Sequence, residues 1–131
     1  MRTNEFSFGR IDILRKDLAE FIIKDGIEVN MEHVDEAEEF LKSNLAAPFS
    51  LLFNKKNNYS FQFNAQVKMG NYQQLNAVAI LCYTESSKMS TNALVKAIPR
   101  KVDWNAKIFF KRGEALNWFE SQQENITKIK N

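Results

Sequence analysis

Apolar residues in this chain fall into short bursts separated by charged or turn-forming stretches, and the spacing within the bursts changes along the sequence. Phe6, Phe8, Ile11 and Ile13 alternate with polar residues except for a slip at Gly9-Arg10, which reads as one strand with a bulge. Arg15-Lys16-Asp17 then turns into a second apolar run, Leu18 to Lys24. A link that short predicts an antiparallel hairpin. Asp25-Gly26 stops the second strand. Val34, Ala37, Phe40, Leu41 and Leu45 recur at helical spacing, predicting a helix over Met31 to Leu45 with Asn30 as its N-cap. Glu32, Asp35, Glu36, Glu38 and Glu39 make its outer, solvated face.

After Pro48, Phe49 to Phe53 reads as a short buried strand and Asn54 to Ser60 as a polar loop. Phe61 to Gly70 is expected to be a short helix, with Ser60 near its start as a cap. Asn76 to Tyr83 is apolar on both faces, which places it centrally in a sheet. Thr84, Ser86 or Ser87 then caps a helix that Pro99 ends, with Met89, Ala93, Leu94, Ala97 and Ile98 facing inward. Asn105 to Phe110 is the last strand and Gly113 to about Asn125 the last helix, leaving residues 126–131 as a fraying tail. The order describes a single α/β domain over residues 1–131. Right-handed crossovers make it a mixed, mostly parallel sheet of about five strands with an N-terminal β-hairpin and four helices.

Composition narrows the chemistry. The net charge is +2 with acids and bases interspersed, so no nucleic-acid partner is expected. Lys55, Lys56, Tyr59, Phe61 and Phe63, and again Lys96, Arg100, Lys101 and Trp104, mix bases with aromatics, but neither stretch has the signature of an RNA-binding strand. Eleven Phe point to an aromatic core. Cys82 is the single cysteine and lies in an apolar run, where it reads as a small buried hydrophobe. His33 is the single histidine and reads as an exposed helical residue. Zinc sites need more of either, so no metal and no cofactor are expected. Four glycines, Gly9, Gly26, Gly70 and Gly113, cannot build a phosphate-binding loop. No residue stands out as catalytic. An enzyme would have to use unmarked carboxylates or the Tyr59/Lys56 pair. No apolar run approaches the ~18 residues of a membrane span, and Met1 to Glu5 begins no signal peptide, so a cytoplasmic protein without an integral membrane segment is expected.

One surface can be picked out by geometry. Ligands of open α/β sheets favour the edge at the carboxyl ends of the parallel strands. Asn54 to Ser60, Thr84 to Ser87 and Lys111-Arg112 should meet there, each leading into a helix N-terminus. They offer hydroxyls at Tyr59, Ser60, Thr84, Ser86 and Ser87 and cations at Lys55, Lys56, Lys111 and Arg112. The expectation is an edge that binds a small anion or lipid, or a protein partner. The strand at 6–13 is expected to be an exposed edge able to pair with a second copy in a homodimer.

Four stretches give the chain a family likeness. They are Phe8-Gly9-Arg10-Ile11; Pro48 to Leu52 with Asn57-Asn58-Tyr59-Ser60; Leu75 to Ile80; and Ile108-Phe109-Phe110 with Glu114 to Phe119. In these the chain resembles the small bacterial SpoIIAA-like domains, also described as STAS/SEC14-like. The resemblance implies a non-enzymatic regulatory domain acting by protein–protein contact. It also places a phosphorylatable serine at Ser60, without the preceding acid and following glycine that the family's switch shows.

Overall fold

The structure, a computed structural model, describes residues 2–97 and 105–130, apart from the side chains of 70 and 125–130. Ile98 and Pro99, at the expected end of the third helix, lie outside it, as do Arg100, Lys101 and Trp104 of the second basic–aromatic stretch.

Three strands open the chain: β1 (Arg2–Phe6), β2 (Gly9–Arg15) and β3 (Leu18–Ile23). The single bulged strand expected over 6–13 is a hairpin instead, with Phe6 paired to Gly9 across the Ser7-Phe8 turn. Gly9 is what permits it. Its φ is +150°, and a Cβ there would lie 2.3 Å from the Ile22 carbonyl oxygen. Strand β2 is therefore interior, between β1 and β3, and the edges of the main sheet are β1 and β8. The exposed edge expected at 6–13 is covered. The second hairpin, β2 to β3 through Lys16-Asp17, lies where the sequence places it.

A short strand, β4 (Glu28–Val29), precedes α1 (Met31–Asn44). Asn30 caps α1: its Oδ1 accepts from the His33 amide at 3.0 Å, while His33 Nδ1 accepts from the Asn30 amide at 3.2 Å. His33 is thus half-buried against the Phe8 ring, 5.3 Å between centroids, rather than exposed. Strand β5 (Phe49–Asn54) follows, then β6 (Ser60–Phe61), α2 (Phe63–Gly70), β7 (Leu75–Leu81), α3 (Glu85–Ala97), β8 (Ala106–Phe109) and α4 (Arg112–Lys130). Helix α4 continues past the expected end near Asn125.

The main sheet runs β1-β2-β3-β5-β7-β8, antiparallel at β1-β2-β3 and parallel from β3 onward. Six strands and a separate parallel pair, β4 with β6, replace the expected five. Each parallel strand is added on the same side of the last. Right-handed crossovers then put α1, α2 and α3 on one face. That face holds the larger core, where Phe21, Leu51, Phe53, Val78 and Ile80 pack with Val34, Ala37 and Leu41 of α1 and Ala65 and Met69 of α2. The opposite face carries α4 alone, with Ala115 and Phe119 buried on Leu18, Leu52, Ala79 and Leu81. Trp118 is only half-buried, tilted against Phe109 and Phe119. Each fully buried Phe contributes about 1.5–3 kcal/mol. No helix among the described residues is long and apolar enough to cross a membrane.

Candidate functional site

Helix α3 departs from expectation in the face it turns inward. Met89 is 71% exposed and Leu94 44%, and Ala93 and Ala97 are also exposed. The residues facing the sheet are Ser87, Thr91 and Val95, one turn apart. Thr91 is buried because its hydroxyl has partners: Oγ1 accepts from Lys55 Nζ at 3.3 Å and lies 3.8 Å from Cys82 Sγ. Small polar side chains on this face leave space that larger apolar ones would fill.

The space is a cavity of about 540 Å3. Phe53 of β5 and Ile80 of β7 form its floor, Gln66 and Met69 of α2 one wall, and Ser87, Ser90, Thr91, Leu94 and Val95 of α3 the other. Lys55, Asn57, Asn58, Tyr59, Ser60 and Phe61 close one end, with Thr84 and Ser86. The volume falls within the ~300–1,000 Å3 typical of small-molecule sites, and apolar walls with a few convergent polar groups are the usual composition.

The closing loop is held in place rather than free. Asn57 Nδ2 donates to the Ile23 carbonyl at 2.8 Å, the Asn58 amide donates to Asp25 Oδ1 at 2.7 Å, and the Gly26 amide donates to the Asn58 carbonyl at 2.8 Å. The β4–β6 pair fixes Ser60 and Phe61. Ser60 is therefore an exposed strand residue; α2 starts at Phe63 with Gln62 in the cap position. Beside this loop Thr84 caps α3, its Oγ1 accepting from the Ser87 amide at 3.0 Å.

Electrostatically the cavity is one-signed. Lys55 is the cation among its described lining residues, and no carboxylate is among them. The ammonium lies 5.6 Å from the centroid of the Tyr59 ring. Burial pushes the Lys55 pKa down, partly countered by the nearby Cys82 thiol. Burial first, and then Cys82, pushes the Tyr59 phenol well above its ordinary range, so it stays protonated.

Of the nine residues expected at a ligand edge, six line this cavity: Lys55, Tyr59, Ser60, Thr84, Ser86 and Ser87. Lys56 and Lys111 are exposed and outside it. Arg112 belongs to a different cluster on the α4 face. Its Nη2 donates to Glu20 Oε1 at 2.7 Å, and that bond holds the guanidinium pKa above its usual range. Asn54 Nδ2 donates to Glu20 Oε2 at 3.0 Å, and Asn54 Oδ1 accepts from the Tyr83 hydroxyl at 2.8 Å and the Lys56 amide at 3.2 Å. Asp12 lies directly across from Glu20 in the β2–β3 ladder and pairs with Arg10 at 3.4 Å. The split follows strand parity: Lys55 continues the Phe53 face and Asn54 the Leu52 face.

Glu20, Asn54 and Thr91 are the residues that sequence reasoning missed. Glu20 carried a signal, an acid inside the apolar run Leu18 to Ile23. Among the described residues no three His, Cys, Asp or Glu side chains are grouped to hold a metal ion. Comparison with protein-family models, with curated proteins and with solved structures finds no match to this chain.

Proposed function

We propose that the protein is a binding domain that holds a small monoanionic amphiphile, an acid with one negative charge and an apolar body, in the cavity between α2 and α3. The observation that carries this reading is a 540 Å3 cavity with one cation, Lys55, and no carboxylate among its described lining residues. A half-buried ammonium without a counter-charge is costly, and a bound anion removes that cost. One ammonium balances one charge, which favours a monoanion over a phosphate dianion. Phe53, Phe61, Met69, Ile80, Leu94 and Val95 supply contacts for the apolar body, and the hydroxyls of Thr84, Ser86, Ser87 and Ser90 supply donors near the head group. The tethered loop lowers the ordering cost of binding.

Membership of the SpoIIAA-like family is part of the proposal. A mixed, mostly parallel sheet opened by an antiparallel hairpin supports it at the level of fold class. The regulatory role and the protein partner implied by that likeness are a second reading, favoured by Phe63 and Met89, exposed at 64% and 71%. Compounds that share a phenylbutyl body and differ only in head group separate the readings. In thermal melts, 4-phenylbutyrate is expected to raise Tm in a concentration-dependent way. An equal rise with 4-phenylbutylamine would contradict the monoanion reading.

A further inference from the structure

We infer that Lys55 is an imine-forming lysine, its amine held by Thr91 at the cavity wall with no described carboxylate beside it, and that it condenses with aldehydes bearing an apolar body. This rests on the same cavity as the proposed function but on a different property of the lysine. Amines react with carbonyls only as the free base, and lysines in desolvated pockets are the ones that reach that form near neutral pH. Three features of the site favour it. Thr91 Oγ1 accepts a hydrogen bond from Nζ and so orients it, and a neutral hydroxyl does not hold the amine in its charged form as a carboxylate would. Burial acts in the same direction on Lys55. Tyr59, against whose ring Lys55 lies, keeps its phenolic proton and offers a donor at the cavity wall.

The chemistry is balanced without an oxidant or reductant. The Nζ lone pair adds to the carbonyl carbon, and the C=O π pair moves to oxygen, which takes a proton to give a carbinolamine. Nitrogen gives up a proton as the carbinolamine forms. The hydroxyl takes a proton from solvent and leaves as water while the nitrogen lone pair closes the C=N bond, and loss of the last N–H proton to solvent gives the imine. A carboxylate in the cavity has the opposite effect, favouring the ammonium and blocking the reaction. Burial in the empty cavity therefore shifts Lys55 toward the amine, and a bound acid shifts it back toward the ammonium.

Benzaldehyde with sodium cyanoborohydride, read by peptide mass spectrometry on the full chain, tests the inference. Reductive labelling at Lys55 is expected to outpace that at the exposed Lys56, Lys88, Lys107 and Lys111 several-fold. Lys55→Arg, which keeps the charge, should lose that fast phase and retain a cooperative melt. Labelling that is even across the lysines, or slower at Lys55, overturns the inference. The two proposals fail separately. If 4-phenylbutyrate raises Tm while Lys55 labels no faster than Lys56, the imine chemistry falls and the binding reading stands. If Lys55 labels fast but 4-phenylbutyrate neither protects it nor raises Tm, the anion reading falls and the reactive amine stands.

Discussion

The two faces of the sheet carry polar clusters a single residue apart in sequence, and they handle charge in opposite ways. On the α4 face Glu20 is buried and takes hydrogen bonds from Arg112 and Asn54, and Asp12 has Arg10. Acids placed directly opposite each other in a ladder repel, and the two arginines offset that. On the other face Lys55 has a threonine hydroxyl and an aromatic ring and no described carboxylate. The first cluster pairs each of its charges with an opposite one and ties β2, β3, β5 and α4 together, with Asp12 Oδ1 left buried and without a hydrogen-bond partner among the described residues. The second is left open toward a cavity. A charge satisfied by an opposite charge is part of the scaffold, and a charge met only by neutral groups is placed for something else. Asn54 is the hinge between them, bonded to Glu20 on one side and to the Lys56 amide of the cavity loop on the other.

The sharpest way to break the comparison is at Arg112. Its side chain is 45% exposed while that of Glu20 is 4% exposed, so the two partners are unequal. Arg112→Met strands a buried carboxylate and is expected to cost about 3 kcal/mol in denaturant melts. Glu20→Gln frees an arginine that can reach water, and should cost about 1 kcal/mol. The double variant should recover part of the Arg112→Met loss; if it is instead additive, the pair is not the unit described here. Next comes Asn54→Ala, which removes bonds to Glu20, Tyr83 and Lys56 and is expected to cost about 2 kcal/mol. It should also weaken 4-phenylbutyrate binding, whereas Glu20→Gln should leave binding unchanged, as calorimetric titration would show.

On the open side, Lys55→Met is expected to weaken 4-phenylbutyrate about tenfold or more, some 1.4 kcal/mol. The same substitution should stabilise the empty fold, the reverse of what removing a scaffold charge does. Because the lysine is partly solvent-screened, the gain is small, about 0.5 kcal/mol. Its pH dependence has a definite sign. Burial lowers the folded-state pKa below the ordinary 10.5, so the folded chain binds fewer protons than the unfolded one between those two values. The penalty is fully present below the folded-state pKa and fades as pH rises toward 10.5. The Tm advantage of Lys55→Met should therefore shrink with rising pH; an advantage that grew would contradict the burial of an unpaired ammonium.

Where structure is set locally, the sequence was easy to read. Helix α1 follows from Asn30 and the spacing of Val34, Ala37 and Leu41, and the β2–β3 turn from Lys16-Asp17. The β1–β2 hairpin was hidden because Ser7-Phe8 is not turn chemistry and Phe6, Phe8, Ile11 and Ile13 mimic one alternating strand; Gly9 was the visible sign. Helix α3 was misread for a tertiary reason. Met89 and Leu94 are apolar and were placed inward, but Thr91 takes that position because Lys55, 36 residues away, supplies its partner. The candidate site was half legible. The rule about strand C-termini gathered its loops, but the division of Lys55 from Arg112 depends on which face each strand end presents.

The central claim is that the unpaired charge, rather than the paired cluster, marks the ligand site. Amide chemical-shift mapping during titration with 4-phenylbutyrate tests it most directly. The account predicts saturable shifts at Lys55, Tyr59, Thr84, Ser87 and Thr91, with Asp12, Glu20 and Arg112 unmoved and the response abolished in Lys55→Met. Shifts centred on Arg112 and Glu20, or an unchanged response in Lys55→Met, would contradict it.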